Sequence, residues 1–217
     1  MQNMKTKKLK LTIPSSMDEI PLHRYQRFVR ESMLNENNSE QWVASRMLDI
    51  FLDIPTTSVM RMTLQSMQEI SELLAKTLSE TPELKRVFKM GDTEFGFIPK
   101  LDEMTFGEYV DLDNFITDWD TMHKAMAVLY RPIKTRYEDK YEIQEYEGDL
   151  FHEAMKNMPL SVAMGSMLFF YRLEKDLLQT LAGYSTEGLP KAHLEENGVG
   201  MQAYMLSHKE TLPDSTK

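Results

Sequence analysis

The residues best suited to metal or acid–base chemistry form an acidic cluster in the middle of the chain. Seven acids lie between Lys100 and Lys124, with no basic residue among them: Asp102, Glu103, Glu108, Asp111, Asp113, Asp118 and Asp120. A hard cation such as Ca²⁺ requires several oxygen ligands that converge on one point. The pairs Asp111/Asp113 and Asp118/Asp120 lack the glycine at the sixth position and the glutamate at the twelfth that a calcium loop needs. We therefore predict that these acids are solvated; a metal-dependent hydrolase built on them is the least favoured alternative.

The histidines and glycines offer no second catalytic or cofactor site. No two of the five histidines have the i, i+4 spacing of a helical zinc pair: His23, His123, His152, His193 and His208. His152 is close in sequence to Asp149 and Glu153, but a single histidine makes a weak metal candidate. The chain has no cysteine, and it contains no GxSxG motif, P-loop or GxGxxG loop. We therefore predict no catalytic, cofactor-binding or metal-binding residues, and a protein that is not an enzyme.

Two segments are candidates for a partner-binding surface, and they contribute six residues: Tyr130, Arg131, Pro132, Met164, Met167 and Phe170. The first segment ends a predicted helix and combines tyrosine with arginine, which are common interface anchors; an ordinary helix C-terminus is an equally good interpretation. The second lies in a predicted helix over residues 159–181 that is apolar nearly all round. We expect this to be the central core helix, with a docking face as the alternative. Eighteen methionines favour a surface that adapts to a partner, although for any single methionine packing in the core is the better interpretation.

The elements that must position these residues are mainly helical. Apolar residues recur at helical spacing over most of the chain between residues 15 and 181, including a helix that Thr105 and Glu108 open with capping-box spacing and that carries Phe106, Tyr109 and Val110. Strict alternation predicts a strand at residues 8–13 and two β-hairpins, one near 86–98 with a turn at 91–92 and one near 134–146. The predicted fold class is therefore mainly α (α+β).

The predicted domain organisation has three parts. Residues 1–14 form a basic arm that contains the strand, residues 15–182 form one helical domain with the hairpins, and residues 183–217 form a mobile tail that is rich in glycine and poor in apolar stripes. The whole chain carries a net charge of −9, although its first ten residues contain four lysines and no acid. Such an acidic body disfavours binding to nucleic acid. The longest apolar stretch is too short for a membrane span, and the absence of cysteine favours the cytoplasm.

One part of the sequence resembles a known class of proteins. The matching residues are Phe95-Gly96-Phe97-Ile98-Pro99, Leu101-Asp102, Thr105-Phe106-Gly107-Glu108-Tyr109, Leu112-Asp113, Trp119 and Ala127-Val128-Leu129-Tyr130-Arg131-Pro132-Ile133. They resemble small morphogenesis proteins of tailed bacteriophages, of the tail-assembly-chaperone type, and the order of elements is similar over residues 17–181. The resemblance implies a helical protein of the host cytoplasm that binds a viral structural protein, such as a tape-measure protein. A permanent virion component, such as a connector or capsid-associated protein, is the alternative.

Overall fold

The computed structural model describes residues 11–34, 39–138 and 140–184, and the fold is mainly α, as predicted. The helices in these residues are α1 Leu22–Met33, α2 Glu40–Leu52, α3 Thr56–Val59, α4 Leu64–Leu78, α5 Phe106–Ile116, α6 Met122–Leu129, α7 His152–Met155 and α8 Leu160–Tyr184, with 3-10 turns at Met17–Glu19 and Leu101–Glu103. The strands are β1 Val87–Met90, β2 Thr93–Phe97, β3 Tyr130–Tyr137 and β4 Lys140–Ile143. One continuous hydrophobic core, running in sequence from Met17 to Met167, joins these elements.

Both predicted hairpins are present, and they join into a single antiparallel sheet with the order β1-β2-β3-β4. The turn of the first hairpin includes Gly91, whose positive φ of 60° is easily reached only by glycine. The two hairpins meet where β2 pairs with β3, with Gly96 opposite Arg131. A side chain at Gly96 would collide with the ring of Tyr141, which lies across the strand and donates a hydrogen bond to the Phe97 carbonyl.

The segment from Tyr130 to Pro132 was predicted to end a helix, and this prediction is wrong. Helix α6 ends at Leu129, and β3 begins at Tyr130. Pro132 disfavours helical backbone at Arg131, because the proline ring clashes with the preceding residue in that conformation. The first hairpin supplies the strand partner, since Ile98 donates its backbone N–H to the Leu129 carbonyl and β2 pairs with the residues that follow.

Helix α8 is a core helix over its first half, as the favoured interpretation predicts. Leu160, Val162 and Ala163 are completely buried, whereas Tyr171, Arg172 and Leu173 are exposed. The helix continues to Tyr184 rather than ending near residue 181.

The two predicted terminal segments lie largely outside the described residues. Residues 11–14 have no regular secondary structure, so the described part of the predicted N-terminal strand is not a strand. Leu11 and Ile13 nevertheless pack against the core. Residues 1–10, and the predicted tail from residue 185 onward, lie outside the described part of the chain.

Candidate protein-binding surface

The outer side of α5 exposes three large apolar side chains next to one another. Phe106 is 82% exposed, Tyr109 57% and Val110 37%. Residues three and four positions apart are neighbours on a helix, so the three form one patch, which we call the α5 face. Further round the helix, Glu108, Leu112 and Ile116 are buried. Exposed apolar patches of this kind mark interaction surfaces more often than isolated exposed residues do.

A complete capping box begins α5 directly beside this patch. The Thr105 hydroxyl accepts a hydrogen bond from the Glu108 backbone N–H, and the Glu108 carboxylate accepts one from the Thr105 backbone N–H at 2.7 Å. This reciprocal pair satisfies two backbone donors that the first turn of a helix leaves without partners. Phe106 is therefore presented from an ordered helix start.

The same glutamate ties α5 to the sheet through a buried ion pair. Glu108 Oε1 lies 2.7 Å from Nη1 of Arg131 on β3, and the two side chains are 6% and 8% exposed. The other carboxylate oxygen, Oε2, is the one that serves the capping box. A carboxylate with both oxygens engaged, in so little contact with water, holds the helix at a defined distance from the sheet.

A second contact between α5 and the rest of the fold involves Tyr146. Its hydroxyl donates to Asp111 Oδ2 at 2.6 Å, and the guanidinium of Arg131 lies 6.0 Å from its ring centroid. The pKa of the Tyr146 phenol is raised above its ordinary value, mainly by burial and secondly by the hydrogen bond to Asp111, so the hydroxyl keeps its proton and donates at neutral pH. Nε of Arg131 is buried and has no hydrogen-bond partner.

The acids predicted to be solvated fall into two groups. Asp102, Glu103 and Asp113 are exposed around the α5 face, and Glu103 pairs with Lys100. Within the described residues, no ion pair involves Asp102 or Asp113.

The second group has partners in the fold. Glu108 is buried, so the prediction that it is solvated is wrong, and Asp111 accepts from Tyr146. Asp118 accepts from the Asp120 backbone N–H at 2.9 Å, and Asp120 pairs with Arg30 at 2.8 Å. In residues 11–34, 39–138 and 140–184, no three acids or histidines are arranged to hold a metal ion.

The partner-binding residues proposed from the sequence do not form a surface. Buried positions at the start of β3 are occupied by Tyr130, Arg131 and Pro132. They were predicted to be exposed because the segment was wrongly assigned to the end of a helix. Met167 is buried as well.

The other two residues of that set, Met164 and Phe170, are only partly buried and pack against the core. The rings of Phe170 and Phe97 are tilted by 45° to one another, with a centroid distance of 6.3 Å. Arg131 still matters to the exposed patch, because it holds the helix that carries it.

Sequence reasoning missed the α5 face because the apolar residues of α5 cover one broad side of the helix. Leu112 and Ile116 lie three and seven positions after Tyr109, next to the exposed residues. Periodicity identifies this broad side, but it does not say which part of it faces the core.

A polar groove lies between α1, α7 and the start of α6. His123 lies in its wall, almost fully buried, and its Nδ1 is 3.0 Å from Nε2 of Gln26. The Gln26 amide nitrogen is a donor, so His123 carries its proton on Nε2. Burial lowers the pKa of His123 to about 4, with a smaller contribution from the Lys156 charge, and the ring is neutral at pH 7.

Most of the charged side chains that line this groove already have a partner. Arg30 pairs with Asp120 at 2.8 Å, Lys156 pairs with Glu153 at 2.8 Å, and Arg27 pairs with Glu31 at 2.9 Å. Nζ of the remaining cation, Lys124, lies 5.2 Å from the ring centroid of Phe115. The groove therefore gives no specific indication of a substrate, and the α5 face is the stronger candidate.

No helix in the part of the chain that the structure describes has the combination of length and apolarity that spanning a bilayer requires. Comparison of the sequence with models of protein families, with curated proteins and with solved structures found no match.

Proposed function

We propose that this chain is a non-enzymatic protein-binding factor and that the α5 face is its contact surface. The supporting observation is the exposure of Phe106, Tyr109 and Val110 side by side on a helix whose position is set by the buried Glu108–Arg131 pair. Exposing large apolar groups to water is unfavourable, at about 25 cal/mol per Å² of apolar surface. A partner that covers them recovers this free energy, and a helix already held in place loses little entropy on binding.

We further propose that the partner is a structural protein of a tailed bacteriophage, such as a tape-measure protein, and that the chain acts in the host cytoplasm as a chaperone or adaptor during assembly. The support is the resemblance of residues 95–133 to tail-assembly-chaperone-type proteins. That segment contains the whole of α5 and α6, together with the end of β2 and the start of β3. The resembling residues are therefore those that build and hold the proposed contact surface.

The test uses infected cells that carry a tagged copy of the protein. The tagged chain should co-purify with one viral structural protein, and mass spectrometry of purified particles should not find it. Its presence in particles in stoichiometric amount would instead show a permanent virion component. Phe106→Ser together with Tyr109→Ser should abolish co-purification without unfolding the protein, since both side chains are mostly exposed.

Leu64→Ser is the matched control, because Leu64 is a 67% exposed apolar residue on a different helix, α4. This control should leave co-purification unchanged. Unaltered recovery of the structural protein by the double variant of α5 would refute the assignment of the contact surface.

A further inference from the structure

The charges around the α5 face specify the chemistry of its partner. We infer that the face receives an amphipathic helix whose apolar stripe is flanked by lysine or arginine residues. This inference rests on the proposed function, and it adds the class of partner segment. Three observations carry it: the spacing of the exposed residues, the sign of the surrounding charges and the buried Glu108–Arg131 pair that joins α5 to the sheet.

The spacing fits a helix better than an extended strand. Phe106, Tyr109 and Val110 stand at positions i, i+3 and i+4, and rows with these separations form the ridges by which one helix packs into the grooves of another. Gly107 lies within the same turn, and a Cβ placed there would meet no other atom within 4 Å. The space beside the ridge is therefore open to an approaching side chain.

The surrounding charges favour a basic partner. Asp113 is seven positions after Phe106 and so continues the same stripe, and Asp102 is exposed just before the helix. Neither acid forms an ion pair among the described residues. Asp102 lies near the charge of Lys100, which already pairs with Glu103, and both acids can still accept a cation from a partner. No lysine or arginine occurs in the sequence between Lys100 and Lys124. An acidic partner, or the phosphate backbone of a nucleic acid, would be repelled by this rim.

A second copy of the chain is a poorer occupant. Packing α5 against the α5 of another copy would bring Asp113 of each close to the same acidic rim on the other, and like charges that face one another are unfavourable. Because the buried Glu108–Arg131 pair joins α5 to the sheet, we also expect the partner to adapt its shape to α5. We therefore place the helical, basic segment on a different protein.

The experiment measures binding of synthetic peptides by fluorescence anisotropy. The basic probe has roughly 18 residues, enough to be helical on binding, with leucines on one helical stripe and lysines elsewhere. The acidic probe has the same leucines and replaces every lysine by glutamate. The full-length chain should bind the basic probe at least about tenfold more tightly than the acidic one at low ionic strength, and this ratio should shrink as salt is added.

Variants of the protein locate the binding site of the basic probe. Asp102→Asn and Asp113→Asn should each weaken its binding by about two- to fivefold, the range of an exposed ion pair. Phe106→Ser should weaken it by more, because it removes the central apolar contact. Leu64→Ser should leave the affinity unchanged, and this control separates the α5 face from non-specific adhesion of a cationic peptide.

The outcomes distinguish this inference from the proposed function. Equal affinity for the two probes, or unchanged affinity in Asp113→Asn and Asp102→Asn, would overturn the assignment of a basic partner. If co-purification from infected cells still depended on Phe106, the protein-binding function would stand. Concentration-dependent dimerisation that Phe106→Ser abolishes, measured by sedimentation, would place a second copy on the face and would also overturn the inference.

Discussion

The ion pair between Glu108 and Arg131 should make a measurable contribution to the stability of the fold. The two charges are 2.7 Å apart, which corresponds to a gross attraction of about 6 kcal/mol at an effective dielectric constant of about 20. Much of this is offset by the loss of hydration of both groups. Removing only one partner leaves the other charge buried and unpaired, and this typically costs about 3–5 kcal/mol. That is a large share of the roughly 5–15 kcal/mol by which most domains are stable.

Two single variants and their combination test this reasoning by urea denaturation. Arg131→Met leaves the Glu108 carboxylate buried, although Glu108 keeps its hydrogen bonds from Thr105. Glu108→Gln retains an acceptor for the capping box, but leaves the Arg131 guanidinium unpaired, with its Nε already lacking a partner. We expect each single variant to lose about 3–5 kcal/mol, and the double variant to lose clearly less than the sum.

The control is the exposed pair Lys156–Glu153, whose geometry is similar at 2.8 Å. Lys156→Met should cost no more than about 1 kcal/mol, because water screens an exposed pair. Losses below about 1 kcal/mol for both Glu108→Gln and Arg131→Met, or full additivity in the double variant, would refute the view that this pair anchors α5. Variants of Glu108 or Arg131 that remain folded should also bind peptide more weakly at the α5 face, because the contact that joins α5 to the sheet is lost.

Two further predictions concern residues outside this anchor. Gly165→Ala should lower the free energy of unfolding by about 1–3 kcal/mol, because a Cβ there would collide with the Glu83 carbonyl. Gly107→Ala should raise the free energy of unfolding slightly, because nothing lies within 4 Å of a Cβ there and alanine has the better helix propensity. Urea titrations in which both variants change in the same direction would contradict this. The pKa of His123 is about 4 in the folded protein and 6.5 ordinarily, so the unfolded chain takes up the proton first, and stability should fall by roughly 2–4 kcal/mol as the pH drops from about 6.5 to about 4. Thermal melts of His123→Asn should show a flatter dependence between pH 6.5 and 5, and a slope equal to that of the wild type would rule out this histidine as the cause.

Local sequence signals predicted many elements well, because their causes lie within a few residues. The turn of the first hairpin needs a positive φ, which Gly91 supplies. Thr105 and Glu108 form the capping box that their spacing predicted. The burial of the first half of α8 follows from a helix that is apolar nearly all round, since no other side of it could face water.

The errors arose where a residue's surroundings depend on distant parts of the chain. Tyr130 continues an apolar helical pattern, and periodicity alone extends the helix through it. The strand forms instead because β2, more than thirty positions earlier in the chain, offers an edge with unpaired backbone groups. This strand pairing also buries Arg131, which was predicted to be a surface anchor and instead forms a buried ion pair with Glu108.

The sequence by itself determined the mainly helical class, the two hairpins and the start of α5, since backbone preference and capping act over a few residues. Only the tertiary structure decided which side of α5 packs inward. Glu108 can lie on the buried side because Arg131 is there to neutralise it, and a buried carboxylate is tolerable only with such a partner. Leu112 and Ile116 are buried on the same helix, and Phe106, Tyr109 and Val110 are left exposed. The exposed patch therefore depends on Arg131 and on the core, and the periodicity of α5 alone reveals neither.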